Sequence, residues 1–308
     1  MKILPFAFHN AGYLCLEWLL DNGYDVPLVV THKPYKNENV WFNSVYDLAK
    51  KEGVPVILKE KFDESSMAGK VKSAEPDILF SINYRKIIPE SIYKLPKLGS
   101  YNVHDSLLPA YKGFASSIWV IIKGETKTGV TIHEIVEEVD AGDIVGQIEV
   151  PIPPHYTGGE MIEDIAVITK ELFIRTVYQF ENGTVLKTAQ DREQGFWMDR
   201  RGPKDDCIMW DQPLAEIYNF IRAITWPIAC ARTKCQDKDI YIWKAEQVLG
   251  VNSGKCPGYV LSKDKDGIFV QTANGTVKIV EVGLVSEYEK RINSRLDKFP
   301  LSIGDVLK

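Results

Sequence analysis

Asn102 and His104 stand two residues apart in the run Asn102-Val103-His104-Asp105-Ser106-Leu107-Leu108-Pro109, and Asp140 follows in the stretch VEEVDAGDIVGQ. A carboxamide can polarise a carbonyl and an imidazole can move a proton. Two side chains at i and i+2 of an extended strand point to one side. A carboxylate arriving from a separate loop would complete the set, favouring the imidazolium form of His104 and orienting its ring. Each residue also has a plainer reading. A histidine ending a buried strand is commonly a hydrogen-bonded structural group, and an asparagine ahead of a Pro-terminated turn commonly caps the backbone.

The elements that must position these residues follow an alternating pattern. KILPFAF reads as a strand, AGYLCLEWLLDNG as a helix closed by Gly23, DVPLVVTH as a strand, NSVYDLAKKEG as a helix ended by Gly53, and PVILK as a third strand. A short amphipathic helix around Met67 to Ser73 precedes the buried strand PDILFSINY and then GSYNVH. Strands alternating with helices predict a mostly parallel sheet covered by helices, a Rossmann-like α/β domain. Asn102 and His104 then fall at the carboxyl end of a strand, the edge where open α/β sheets bind ligands. The turn HNAG after the first strand is not GxGxxG and no Walker loop occurs, so the sheet is expected to serve a ligand other than a dinucleotide or P-loop nucleotide.

Further along, a helix is expected from Tyr156 to Gln179, and VLKTAQD as a closing strand or extended connection. The polar, turn-rich stretch EQGFWMDRRGPKDD reads as the crossing between domains. LAEIYNFIRAI is an amphipathic helix with Asp211 as its N-cap, and five short alternating runs, ACARTKC to TVKIVEVGLV, predict a small antiparallel barrel. The expected division is therefore a catalytic domain over 1–190, a linker over 191–206 and a barrel-like domain over 207–308.

Composition narrows the function. The chain has 308 residues, 45% of them hydrophobic, enough for two cores. A net charge of -5 and a pI of about 5.7 argue against a broad basic surface for nucleic acid. No apolar stretch approaches the roughly 20 residues a membrane helix needs, and the N-terminus suits a strand better than a signal peptide, so a cytoplasmic protein is expected. Five cysteines without a CxxC spacing, and five scattered histidines, His9, His32, His104, His133 and His155, predict neither disulfides nor a metal site.

The phrase YNVHDSLLPAYKG together with GETKTGVTIHEIVEEVDAGDIVGQ resembles the folate-dependent formyltransferases, a family that includes methionyl-tRNA formyltransferase and the sugar-nucleotide formyltransferases. The resemblance extends to FAFHNAG, SINYRKIIP and RRGPKDDCIMW. It implies transfer of a formyl group from 10-formyltetrahydrofolate, a co-substrate, to a primary amine without a metal. It also implies that His104 moves the proton, Asn102 stabilises the oxyanion, and Asp140 holds and tunes His104. The pterin would lie against the backbone of Lys86, Ile87 and Ile88, near Phe114, and along Val136, Glu137, Glu138, Val139 and Asp140. One departure concerns Gly113-Phe114-Ala115-Ser116-Ser117, where serine stands in place of an expected proline.

The amine is read from residues outside the trio. A tRNA enzyme needs phosphate-neutralising cations, yet THKPYKNENVWFNSVYDLAKKEG is short and lacks a basic run. It offers Trp41 and Phe42, which could stack on a base or sugar, or simply anchor the loop. Arg200, Arg201 and Lys204 form a tight basic cluster that could grip a pyrophosphate, or be a solvated or salt-bridged face. A nucleotide-linked amino sugar is thus expected over tRNA, with hydrolysis to formate as the alternative reaction and a homodimer as a further expectation.

Overall fold

The computed structural model describes residues 1–36, 38–285 and 291–308. The chain divides into two compact units, one of 1–116, 127–150 and 162–199, the other of 117–126, 151–161 and 200–308. Two segments expected within the first domain, 117–126 and 151–161, therefore cluster with the second unit.

In the first unit the expected alternation is borne out: β1 (Ile3–Ala7), α1 (His9–Asp21), β2 (Val29–Thr31), α2 (Val45–Lys51), β3 (Val56–Leu58), α3 (Glu64–Ala74), β4 (Ile78–Ile82), α4 (Glu90–Tyr93) and β5 (Ser100–His104). The chain continues with β6 (Lys112–Gly113), α5 (Ser116–Ile122), β7 (Lys127–Glu134), β8 (Ile144–Pro151), α6 (Gly158–Glu181) and β9 (Trp197–Met198), of which α5 beyond Ser116 and the start of α6 cluster with the second unit. The large sheet runs β3-β2-β1-β4-β5-β7-β8. The pairs from β3 to β5 are parallel and β5 pairs with β7 antiparallel. Every residue of β1 and β4 is buried, as expected of parallel strands covered on both faces. Phe80 of β4 packs edge-on against Phe173 of α6, with ring centroids 4.9 Å apart.

Strand order reverses between β1 and β4, so the carboxyl ends of β1, β4 and β5 open onto a switch-point edge. Gly12 lets α1 close onto β1 there, since a Cβ on it would lie 3.0 Å from the Cβ of Ala7. VLKTAQD forms no strand. It contributes one bridge, Thr188 to Ile144, because its side chains are mostly exposed and offer no apolar face to bury.

The second unit contains α7 (Leu214–Ile224) and β10 (Ala231–Cys235), β11 (Lys238–Val248), β12 (Val260–Lys263), β13 (Ile268–Gln271) and β14 (Thr276–Leu284). All five expected strands form, in the order β10-β11-β14-β13-β12. This is an antiparallel sheet with β10 and β12 at its edges. Asp211 does not cap α7: Pro213 occupies that position, and Asn274 Oδ1 accepts the Leu214 N–H at 2.8 Å.

Candidate active site

Asn102 and His104 both point from β5 toward the same face, and the antiparallel register sets His133 of β7 directly opposite Asn102 and Thr131 opposite His104. Asp140 enters from the turn after β7. Its Oδ1 lies 3.4 Å from Asn102 Nδ2 and 3.4 Å from His133 Nε2, and its Oδ2 lies 3.7 Å from His104 Nδ1. The three residues singled out in the sequence thus converge within the first unit. His104 and Asp140 are buried, while Asn102 is half-buried.

The hydrogen bond holding His104 comes from an unexpected group. Nε2 lies 2.8 Å from the carbonyl oxygen of Tyr111. A carbonyl can only accept, so Nε2 carries the hydrogen and Nδ1 of the neutral ring is left as the proton acceptor. Asp140 in turn accepts the Gly113 N–H at 2.9 Å. Two backbone groups of one loop therefore orient both partners of the candidate proton relay.

That loop is shaped by alternating backbone conformations. Tyr111, Gly113 and Ala115 have φ of 57, 94 and 54°, and Asp140 has φ of 52°. Left-handed conformations cost non-glycine residues about 1–3 kcal/mol and persist where surroundings over-determine them. Here β6 pairs in parallel with β9, Lys112 N–H bonding to the Phe196 carbonyl (3.0 Å) and Phe114 N–H to that of Met198 (3.1 Å). The Tyr111 and Phe196 rings pack with centroids 4.7 Å apart. On the other side Thr131 Oγ1 donates to the Ser106 carbonyl (2.6 Å) and accepts from Leu108 N–H and from Gln147 Nε2. The serine in place of proline is accommodated: Ser116 begins α5 directly after Ala115.

Burial by itself would raise the Asp140 carboxyl, but His104, the hydrogen bond and charge of His133, and the Gly113 N–H outweigh it and hold it well below the usual carboxylate range. Gln190 steadies the turn behind it, donating through Nε2 to the carbonyls of Asp140 (3.1 Å) and Gly142 (2.7 Å).

The residues expected along the pterin divide by exposure. Ile87, Phe114 and Val139 are large apolar side chains left 72, 49 and 39% exposed. Lys86, Glu137 and Glu138 are exposed and Val136 is half-buried, Lys86 lying over the Tyr35 ring. Ile88 is buried in the core of the unit, so its backbone alone can meet a ligand. Trp41 and Phe42 pack on His9 with ring centroids 4.9 and 4.1 Å away, and Phe42 also on Phe8, so they anchor their loop at the end of β1. Both remain half-buried. In the second unit Arg201 is sandwiched between Trp119 and Phe220 and bonds the Asp205 carbonyl and the Asp206 carboxylate. Nη2 of Arg201 is thus engaged within the unit and its guanidinium lies against two aromatic rings, contacts that a grip on pyrophosphate would have to compete with. Arg200 and Lys204 are exposed beside it. Among the described residues no group of three or more His, Cys, Asp or Glu is arranged to hold a metal ion.

The sequence reading passed over His133, Gln190 and the backbone groups of Tyr111 and Gly113. The period-two pattern of GVTIHE, which puts Thr131 and His133 on one face, was the available sign for His133. Without the β5–β7 register nothing linked it to Asn102.

Residues 7–177 match the family described as Formyl transferase, and residues 202–294 match Formyl transferase, C-terminal domain. The chain belongs to the formyl transferase family. Among curated proteins it is 34% identical over 263 residues to the bifunctional polymyxin resistance protein ArnA of Wigglesworthia glossinidia brevipalpis, covering 85% of this chain and 40% of that protein. The chain therefore spans well under half the length of this relative. Two solved structures share the fold. One is WlaRD, a sugar 3N-formyl transferase solved with dTDP and 5-N-formyl-THF (TM-score 0.68, 20% identity, 92% of this chain and 98% of that one). The other is an N-formyltransferase from Helicobacter canadensis in complex with folinic acid and dTDP-3-aminofucose (TM-score 0.69, 21% identity, 91% and 98%).

Proposed function

We propose that this protein transfers the formyl group of 10-formyltetrahydrofolate to the amine of a nucleotide-linked amino sugar. The observation that carries the reading is the convergence of Asn102, His104 and Asp140 with the His104 ring fixed through the Tyr111 carbonyl, leaving Nδ1 to handle a proton. The family membership and the sugar amine formyltransferases of the same fold support it.

In this reading the amine nitrogen attacks the formyl carbon, a C–N bond forms, and the carbonyl electron pair moves onto oxygen, where an Asn102 N–H stabilises the charge. The amine's proton passes to His104 Nδ1, with Asp140 offsetting the imidazolium. The bond to the folate nitrogen then breaks, and that nitrogen keeps the pair and takes the proton from His104. The exposed side chains of Ile87, Phe114 and Val139 would pack on the pterin, and Trp41 and Phe42 would border the acceptor. Product analysis tests the reaction class. A formyl amide that forms only when an amine is supplied is expected; formate released at the same rate without amine would make the protein a hydrolase.

A further inference from the structure

Two stretches of the first unit have been given to different substrates, and one ion pair joins them. Arg85 precedes Lys86, Ile87 and Ile88, the run expected against the pterin, and Glu38 precedes Trp41 and Phe42, set beside the acceptor. Arg85 Nη1 donates to Glu38 Oε1 at 2.5 Å. The other carboxylate oxygen accepts the Tyr35 N–H at 2.8 Å, and the Glu38 N–H closes back onto the Tyr35 carbonyl at 3.0 Å. The guanidinium lies over the rings of Phe8 and Tyr35, 4.7 and 5.5 Å from their centroids. The two charged side chains are 30 and 17% exposed, sheltered enough for a charge-assisted hydrogen bond to outweigh an ordinary surface pair.

The backbone of Arg85 repeats the tie. Its N–H donates to His32 Nε2 at 3.4 Å. His32 Nδ1 lies 2.8 Å from the Lys33 carbonyl, an acceptor only, so Nδ1 carries the hydrogen and Nε2 of the neutral ring offers its lone pair. Between β2 and α2 no described residue belongs to a strand or helix, so no ladder of backbone bonds holds this stretch in place. Its far end is pinned by the Asn43 N–H, donated to Asn10 Oδ1 at 2.8 Å, and by Phe42 against His9. Glu38 is the charged anchor between those two ends. A connection fixed at its ends alone samples many conformations, at the expense of the orientation of the rings it carries.

We propose that Arg85 and Glu38 are positioning residues whose ion pair fixes Trp41 and Phe42 relative to the pterin run, so that the acceptor amine is presented to the formyl carbon. The proposal rests on the formyl-transfer reading and deepens it. Neither residue touches Asn102, His104 or Asp140 through any hydrogen bond or ion pair described above. Breaking the pair therefore acts on the acceptor side and leaves the proton-handling groups in place.

The test starts without substrate. In the free protein the Asn43 amide of Glu38→Gln should exchange its hydrogen about threefold faster or more, with the melting temperature within about 2 °C of the wild type. Unchanged exchange at Asn43 would overturn the proposal. The kinetic arm uses whichever nucleotide-linked 3-amino or 4-amino sugar the wild type formylates. Glu38→Gln should raise the KM of that sugar about tenfold while the folate KM stays within about twofold. Equal rises in both, or a lowered melting temperature, would make the pair general scaffold and contradict the proposal. Arg85→Gln combined with Glu38→Gln should lose no more kcat/KM for the sugar than the worse single variant, and additive losses would show two independent roles and contradict it too. A wild type that formylates no amine sinks the formyl-transfer reading and takes this proposal with it; an active wild type matched by Glu38→Gln sinks the proposal alone.

Discussion

Nε2 of His104 lies 2.8 Å from the carbonyl oxygen of Tyr111, and that contact decides which ring nitrogen can work. It leaves Nδ1 on the Asp140 side, 3.7 Å from Oδ2, where a proton taken up would be offset by a carboxylate. The proposed relay is therefore held by a loop rather than by the Asp140 side chain alone.

Removing the proposed oxyanion donor should cost rate and spare binding. Asn102→Ala is expected to lower kcat by about a hundredfold to a thousandfold while KM for both substrates stays within a few-fold. Steady-state kinetics check this. A large rise in KM with kcat unchanged would make Asn102 a binding group.

The loop can be loosened without touching the trio. A Cβ on Gly113 would lie 2.6 Å from the Met198 carbonyl at a φ of 94°, so Gly113→Ala must open the β6–β9 pair and shift the N–H that Asp140 accepts. Activity should fall at least about tenfold together with thermal stability. As a control, a methyl group on Gly69 in α3 would meet nothing within 4 Å, and Gly69→Ala should stabilise by about 0.5–1 kcal/mol. Calorimetry separates the two outcomes.

Burial, then the nearby Arg85 charge, push His9 down from its ordinary 6.5 to about 3. The unfolded chain thus takes up a proton that the folded one refuses as pH falls below about 6.5, and stability drops by about 1.4 kcal/mol per unit until about pH 3. By about pH 5 this amounts to about 2 kcal/mol. Asparagine tolerates the left-handed backbone at this position (φ 62°), so His9→Asn should fold and lose less stability on acidification. Urea melts at neutral and mildly acidic pH compare the two slopes, and parallel slopes would contradict the assignment.

Arg201 should behave as scaffold. Burial raises the Asp206 carboxyl while Arg201 and Arg232 pull it down, so Arg201→Ala removes both a stacked cation and part of the compensation for a half-buried acid. A loss of about 2–4 kcal/mol is expected, seen as a lowered melting temperature. An unchanged melt with a raised KM for the sugar nucleotide would return Arg201 to a binding role.

Much of this was legible in the sequence because it is local. Buried runs such as ILPFA and ILFSI announce parallel strands, and the spacing of Asn102 and His104 survives any detail of packing. What escaped is long-range. His133 meets Asn102 only through the register of β5 and β7, thirty-one residues apart. The packing of Arg201 against Trp119 and Phe220 is likewise a contact between residues far apart in the chain. The Tyr111 carbonyl and Gly113 N–H belong to the backbone, whose hydrogen bonds residue types do not spell out.

The most direct measurement is mass spectrometry after incubating the protein with 10-formyltetrahydrofolate and a panel of nucleotide-linked 3-amino and 4-amino sugars. The account predicts that one of these sugars gains a single formyl unit on its amine, and that His104→Asn abolishes the gain while folate still binds. No formylated sugar in the panel, or full transfer by His104→Asn, would contradict it.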